Sequence, residues 1–355
     1  MFVKGEMFRI TTALCNPDFN SAARPPERST YMESNYIRIK QLDGYQTQLF
    51  QYETKQQVLA SVLILHGMSE HHERYLPFIQ QLNQEGFDVY IYDHRGHGTD
   101  KKLTDLGYFA PKGGSDLVVN DAHTICRYIK DCGRSDKLAV FGHSMGSLIL
   151  RCLIQQYDGM DCALVCSTTM PSFFKANTGL FITRLFCLFR GPKKQSKVLD
   201  KLLFGSKKFT SLCSRTAYDW LTRNNTIVGK YIYDPYCGFI CTTSFYRDLL
   251  LLAKRSSSKS NIKKTRKDLP VYFLAGDKDP VGGYAKEVIR LSNTFKQLGF
   301  SDTGITVYPD ARHELLNELN AEEVMADAIS FFHQKLGTEL SIPEDNAAAT
   351  AESLG

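Results

Sequence analysis

The seven residues FGHSMGS (141–147) set Ser144 between two glycines at two-residue spacing, Gly142 and Gly146. The run before it, KLAVFG (137–142), is a short apolar stretch of strand length. The run after it, SLILRCLIQQY (147–157), has helical length and spacing. Strand, tight turn and helix follow one another there. A serine in such a turn takes a strained backbone conformation that only small neighbours tolerate, and its Oγ points away from the sheet above the helix N-terminus. A lone serine between glycines is equally well a structural turn residue. Its hydroxyl becomes a nucleophile only if a base takes its proton and the base is itself oriented, so the rest of the chain decides the matter.

Working outward, short apolar runs alternate with amphipathic stretches. LASVLILHG (59–67), FDVYIYD (87–93), KLAVFG (137–142), CALVCS (162–167), PVYFLAG (270–276) and GITVYP (304–309) read as strands. ERYLPFIQQLNQEG, DLVVNDAHTICRYIK, YAKEVIRLSNTFKQLG and AEEVMADAISFFHQKLG carry apolar residues at three- and four-residue spacing and read as helices. YIRIKQL and YQTQLFQYE flank Asp43-Gly44, the signal of a hairpin closed by a two-residue turn. The expected fold is α/β: a mostly parallel eight-stranded sheet with helices on both faces. The alternation stops between Cys166 and Leu269. The expected organisation is an N-terminal extension over 1–30, a core over 31–170 and 268–337, an inserted cap over 171–267, and a disordered tail over 338–355.

The net charge of +5 hides an asymmetry: residues 171–267 hold 20 Lys or Arg and four acids, about +16, and the remainder is about −11. A cationic cap points either to a soluble lid or to peripheral contact with an anionic membrane, with GLFITRLFCLFR (179–190) dipping its apolar face into the interface. No nucleic-acid recognition module accompanies the charge, so no nucleic-acid partner is expected. The first fifteen residues read as no secretory signal, and no run of 18 apolar residues exists to cross a bilayer. Ten cysteines without such a signal point to a reducing, cytoplasmic setting. Cys237 and Cys241 lack a second ligand pair, and His66, His71, His72, His94 and His97 read as loop scaffolding, so no metal or other cofactor is expected.

Asp277 and Asp279 lie in the loop after PVYFLAG, and His313 lies just past the last strand. In a parallel sheet these strand ends share one edge, where ligands bind. Either aspartate can orient His313 on this reading. An oxyanion site needs the amide after the nucleophile, that of Met145, and one from a loop after an earlier strand; His66-Gly67 turns off such a strand and leaves the amide of Met68 free.

HGMSEHHERY, YDHRGHGTD, GHSMGS, GDKDPVG and ARHELLNE resemble, in order, the signature blocks of the monoacylglycerol lipase and lysophospholipase branch of the α/β-hydrolases, whose domain family includes some proline-specific aminopeptidases. The resemblance runs from about residue 36 to about 337. It implies Ser144 as nucleophile, Asp279 rather than Asp277 as the orienting acid, His313 as base, and the Met68 and Met145 amides as oxyanion hole. It implies a lipid ester, a lysophospholipid or a monoacylglycerol, as substrate. A peptidase of the same domain family and a catalytically silent binding module are the alternatives. The first would need an acidic subsite for an amino terminus, which a basic cap disfavours.

Overall fold

The computed structural model describes residues 35–338. The extension expected over 1–30 and, Thr338 aside, the expected tail lie outside them. The alternating apolar runs form one eight-stranded sheet: β1 (Asn35–Lys40), β2 (Gln46–Tyr52), β3 (Ala60–Leu65), β4 (Phe87–Tyr92), β5 (Leu138–His143), β6 (Cys162–Cys166), β7 (Val271–Gly276) and β8 (Thr303–Tyr308). Their spatial order is β1-β2-β4-β3-β5-β6-β7-β8. β1 and β2, and β2 and β4, pair antiparallel; every other neighbour is parallel. Every residue of β3, β4, β5 and β6 is buried, as befits central strands covered on both faces. β1 and β8, at the two edges, are largely half-exposed or exposed.

One expectation needs correction. The hairpin does not turn on two residues. Gln41 N–H donates to the Tyr45 carbonyl at 2.8 Å, which leaves Leu42, Asp43 and Gly44 as a three-residue turn with Gly44 at φ +84°. Asp43 is held there by Arg95, whose two terminal nitrogens lie 2.6 and 2.8 Å from its carboxylate. That long-range pair has no local sequence signal.

The chain crosses from β3 through α1 (Leu76–Gln84) to β4 in one direction, then through α2 (Gly114–Cys132) to β5 in the other. With right-handed crossovers α1 and α2 fall on opposite faces. α3 (Met145–Leu153) follows β5 on the α2 face, and α10 (Lys286–Gln297) follows β7. α11 (Ala321–Leu336) closes the chain against α1. β3 and β5 are neighbours at the point where the chain reverses its direction across the sheet, so the loops leaving their C-terminal ends diverge and open a crevice.

Six helices stand between β6 and β7: α4 (Phe173–Arg190), α5 (Lys197–Phe204), α6 (Lys207–Thr210), α7 (Asn225–Tyr233), α8 (Thr243–Ser257) and α9 (Lys259–Ile262). They are not one layer. α8 packs against α2 and α3 beside the sheet, and α4 lies on α8. No helix among the described residues is long and apolar enough to cross a membrane.

Candidate active site

Ser144 sits between β5 and α3 at φ 51°, ψ −115°, the strained conformation expected of the turn. Both flanking glycines are required by their surroundings. A Cβ on Gly142 would lie 2.7 Å from the Gly146 carbonyl oxygen, and one on Gly146 would overlap the Leu65 carbonyl oxygen of the neighbouring strand. The Ser144 amide donates to the Cys166 carbonyl at 3.0 Å, which ties the turn to β6.

His313 Nε2 lies 2.8 Å from Ser144 Oγ. Its Nδ1 lies 3.1 Å from Asp279 Oδ1, close in distance but not squarely aligned, as is common before substrate tightens such a contact. Asp279 is fully buried, and its Oδ1 also accepts the Val281 amide at 2.8 Å. Asp277 instead pairs with Lys278 at the surface. The structure therefore brings Ser144, His313 and Asp279 together and leaves Asp277 aside. Burial disfavours the imidazolium of His313, but the Asp279 carboxylate, with Glu314 and Glu70 behind it, outweighs burial and lifts its pKa above the usual 6.5.

The loop leaving β3 is clamped at every residue around Met68. Gly67 N–H donates to Glu70 Oε1 at 2.6 Å, and Ser69 N–H donates to His97 Nε2 at 3.1 Å. The Ser69 carbonyl accepts from the Gly238 amide at 2.9 Å and from the Tyr231 hydroxyl at 3.1 Å. The Met68 and Met145 amides themselves have no acceptor among the described residues, and both residues face the cavity beside Ser144. A Cβ on Gly67 would lie 2.6 Å from Glu70 Oε1 and 3.3 Å from Ser144 Cβ, so only glycine lets this loop approach so closely.

The histidine cluster holds this loop. His66 Nε2 accepts the His94 amide at 2.9 Å while Nδ1 faces the Gly67 carbonyl at 2.7 Å. His97 Nδ1 likewise faces the Arg95 carbonyl at 3.0 Å. These bonds require neutral rings protonated at Nδ1, and burial supports that: it lowers the pKa of His66 and pushes that of His97 down to about 3. His72 pairs with Asp93 at 2.7 Å. His71, Asp234 and Cys237 bring three ligand-type atoms within 4.8 Å of one another. There Nε2 of His71 is bonded to Asp234 at 2.8 Å, which tethers the 234–239 loop to the loop after β3. His143 is buried and rests its ring 5.0 Å from that of His313; burial and the neighbouring His313 hold its pKa down at about 3.

Sequence reasoning missed an Arg–Glu clamp. Arg74 donates to Glu70 Oε2 at 2.6 Å and to both oxygens of Glu314 at 2.8 and 2.6 Å. Glu70 belongs to the loop bearing Met68 and Glu314 follows His313, so one guanidinium joins the two halves of the site. The (i, i+4) spacing of Glu70 and Arg74 is a local hint; the 240-residue reach to Glu314 is not. Trp220, the only tryptophan of the chain, was also missed: its ring lies 5.3 Å from His313 and 5.9 Å, nearly parallel, from Phe204.

Ser144, His313 and the two methionines open into a cavity of about 450 Å³. Its walls are mainly apolar, among them Leu148, Leu203, Phe204, Trp220, Phe239 and Leu250. The volume lies within the ordinary range for small-molecule sites.

A strained serine turn at the switch point of a mostly parallel, helix-covered sheet is the arrangement of the α/β-hydrolase fold. Residues 56–320 match the family described as serine aminopeptidase, S33, and the chain belongs to that hydrolase family. It is similar to a monoacylglycerol lipase of Mycolicibacterium smegmatis, 26% identical over 279 residues covering 76% of this chain and 86% of that one. Among solved structures it resembles a thermostable carboxyl esterase from Bacillus coagulans, with TM-score 0.79, 26% identity, and coverage of 86% of this chain and all of that one. It also shares its fold with a soluble variant of monoglyceride lipase from Saccharomyces cerevisiae, with TM-score 0.69, 18% identity, and coverage of 88% and 99%.

Proposed function

We propose that the protein is a serine hydrolase of lipid carboxylic esters, a monoacylglycerol lipase or lysophospholipase, working through an acyl-enzyme. The observation that carries this reading is the 2.8 Å approach of His313 Nε2 to Ser144 Oγ at the head of a largely apolar cavity. His313 takes the Ser144 proton as Oγ attacks the ester carbonyl. Asp279 holds the ring with Nδ1 protonated and stabilises the cation that forms. The Met68 and Met145 amides receive the developing oxyanion. Collapse breaks the ester C–O bond, and His313 gives the proton to the leaving alcohol. A water molecule, deprotonated by His313, then attacks the acyl-serine; the acyl C–Oγ bond breaks, His313 returns the proton to Ser144 Oγ, and the fatty acid is released.

An apolar wall suits an acyl chain better than a charged peptide amino terminus. Of the carboxylates lining the cavity, Glu70 and Glu314 are committed to Arg74 and Asp200 accepts from the Tyr246 hydroxyl at 2.9 Å, which disfavours the peptidase alternative. The nine cysteines among the described residues are free, in keeping with a reducing, cytoplasmic setting. We propose 171–267 as the cap, with α8 its anchor on the sheet layer.

The test compares fatty-acid release from a long-chain monoacylglycerol and from lysophosphatidylcholine with amine release from a proline-terminal amide. A fluorophosphonate probe should label the wild type and not Ser144→Ala. Preference for either lipid is expected. Preference for the amide moves the assignment to a peptidase, and absence of Ser144 labelling moves it to a silent binding module.

A further inference from the structure

We infer that Arg151, acting through the hydroxyls of Thr168 and Ser147, polarises the peptide group between Ser144 and Met145 and so strengthens the Met145 amide as an oxyanion donor. The inference rests on the hydrolase reading and deepens it, because it assigns positioning residues that touch no reacting atom.

Arg151 belongs to α3, the helix that starts at the nucleophile turn, and is only 1% exposed. None of the arginine ion pairs among the described residues includes it. Burial pulls its pKa down to about 10, which still leaves a cation at neutral pH. Neutral oxygens surround that charge. Nη1 donates to the Thr169 carbonyl at 2.8 Å and to Thr168 Oγ1 at 3.0 Å. Nη2 donates to the Ser256 carbonyl, in the last turn of α8, at 2.9 Å and reaches Ser257 Oγ at 3.4 Å. A buried cation with no carboxylate beside it is costly to hold, and its field falls on the dipoles it is bonded to.

The guanidinium can donate but not accept, and this fixes the direction of the bonds beyond it. Thr168 Oγ1 accepts from Arg151, so the Thr168 hydrogen is free to turn elsewhere. Ser147 Oγ lies 2.7 Å from Thr168 Oγ1 and within hydrogen-bond distance of the Ser144 carbonyl oxygen. That carbonyl can only accept, so Ser147 gives it its single hydrogen and accepts from Thr168. One ordered chain results: Arg151 to Thr168, Thr168 to Ser147, Ser147 to the Ser144 carbonyl. Ser147 and Thr168 are buried, which shields the chain from solvent. The Ser144 carbonyl and the Met145 N–H are the two ends of one amide. Donation to the oxygen draws electron density from the nitrogen and makes the N–H a better donor, and bonds in a buried chain reinforce one another. The Ser147 and Leu148 amides also donate to this oxygen, at 3.0 and 3.3 Å, as expected where a helix begins. The buried cation adds a third donor with a full charge behind it.

The experiment measures kcat and KM on a water-soluble short-chain ester in the full-length protein. Thr168→Val removes the middle hydroxyl with little change of shape, and Ser147→Ala removes the last one. Each should lower kcat by about tenfold with KM changed less than about twofold, a loss confined to the transition state. The double variant should be no worse than either single one, because both cut the same chain. A trifluoromethyl ketone, which forms an oxyanion on Ser144, should bind more weakly by the same factor as kcat falls. Thr168→Ser keeps the hydroxyl and should recover most of the wild-type kcat. Wild-type kcat in Thr168→Val, equal losses in Thr168→Val and Thr168→Ser, or losses that multiply in the double variant each overturn the inference and leave the hydrolase reading standing. Ester release by Ser144→Ala equal to that of the wild type overturns the hydrolase reading, and this inference with it.

Discussion

His313, the base of the proposed mechanism, stands under two opposed influences, and in that mechanism their balance sets the pH range in which it accepts a proton. Burial favours the neutral ring, and the carboxylate of Asp279 favours the cation and prevails. The base must be neutral to accept a proton, so kcat/KM should rise with pH through a midpoint above 6.5. Asp279→Asn removes the attraction and leaves burial, so the acid limb should move to lower pH while kcat falls by about 10⁴-fold. A pH–rate profile of both proteins checks this; an unmoved limb would show that Asp279 does not govern the ring. Gly67 is a second position where a single atom matters. In Gly67→Ala the new methyl meets Glu70 Oε1 and displaces the loop bearing Met68. Loss of one oxyanion donor costs about 10²–10³ in kcat, and that is the expected drop, with KM for a long-chain ester changed far less.

Between elements, the decisive contact is Arg74 holding the loop after β3 to the loop after β8. Arg74→Met leaves Glu70 and Glu314 buried without their cation, a loss of about 3–5 kcal/mol in stability. Thermal unfolding should show it, and Arg74→Lys, which keeps charge without the fork, should lie between wild type and Met. An Arg74→Met protein with wild-type melting and turnover would remove the clamp from the account. The same contact marks what was legible from sequence. Strands and helices announced themselves through apolar spacing, and the five motif blocks placed Ser144, Asp279 and His313 on one sheet edge. Arg74–Glu314, Arg95–Asp43 and Trp220 on His313 join residues far apart in sequence whose local context looks like any charged loop or aromatic helix. The hairpin turn went wrong for that reason: Asp43 answers to Arg95 as well as to its own neighbours. The packing of α8 on α2 and α3 was not legible in 171–267, because amphipathic spacing shows that a helix has a buried face but not which layer it faces.

At the scale of the whole molecule, the cationic stretch 171–267, our proposed cap, contrasts in sign with the rest of the chain, and residues of both line the cavity. The cavity's size should set acyl-chain preference. Leu203 is half-buried on its wall, so Leu203→Trp should shift turnover towards shorter acyl chains while fluorophosphonate labelling of Ser144 persists. An unchanged chain-length profile would place the acyl group elsewhere. The central claim is that Ser144 at the head of this cavity cleaves a lipid ester. The most direct measurement is the initial rate of fatty-acid release from a long-chain monoacylglycerol by the wild type and by Ser144→Ala. Turnover that falls by about 10⁶-fold in the variant, with its melting temperature retained, is the predicted result. Equal release by the two proteins would contradict the claim.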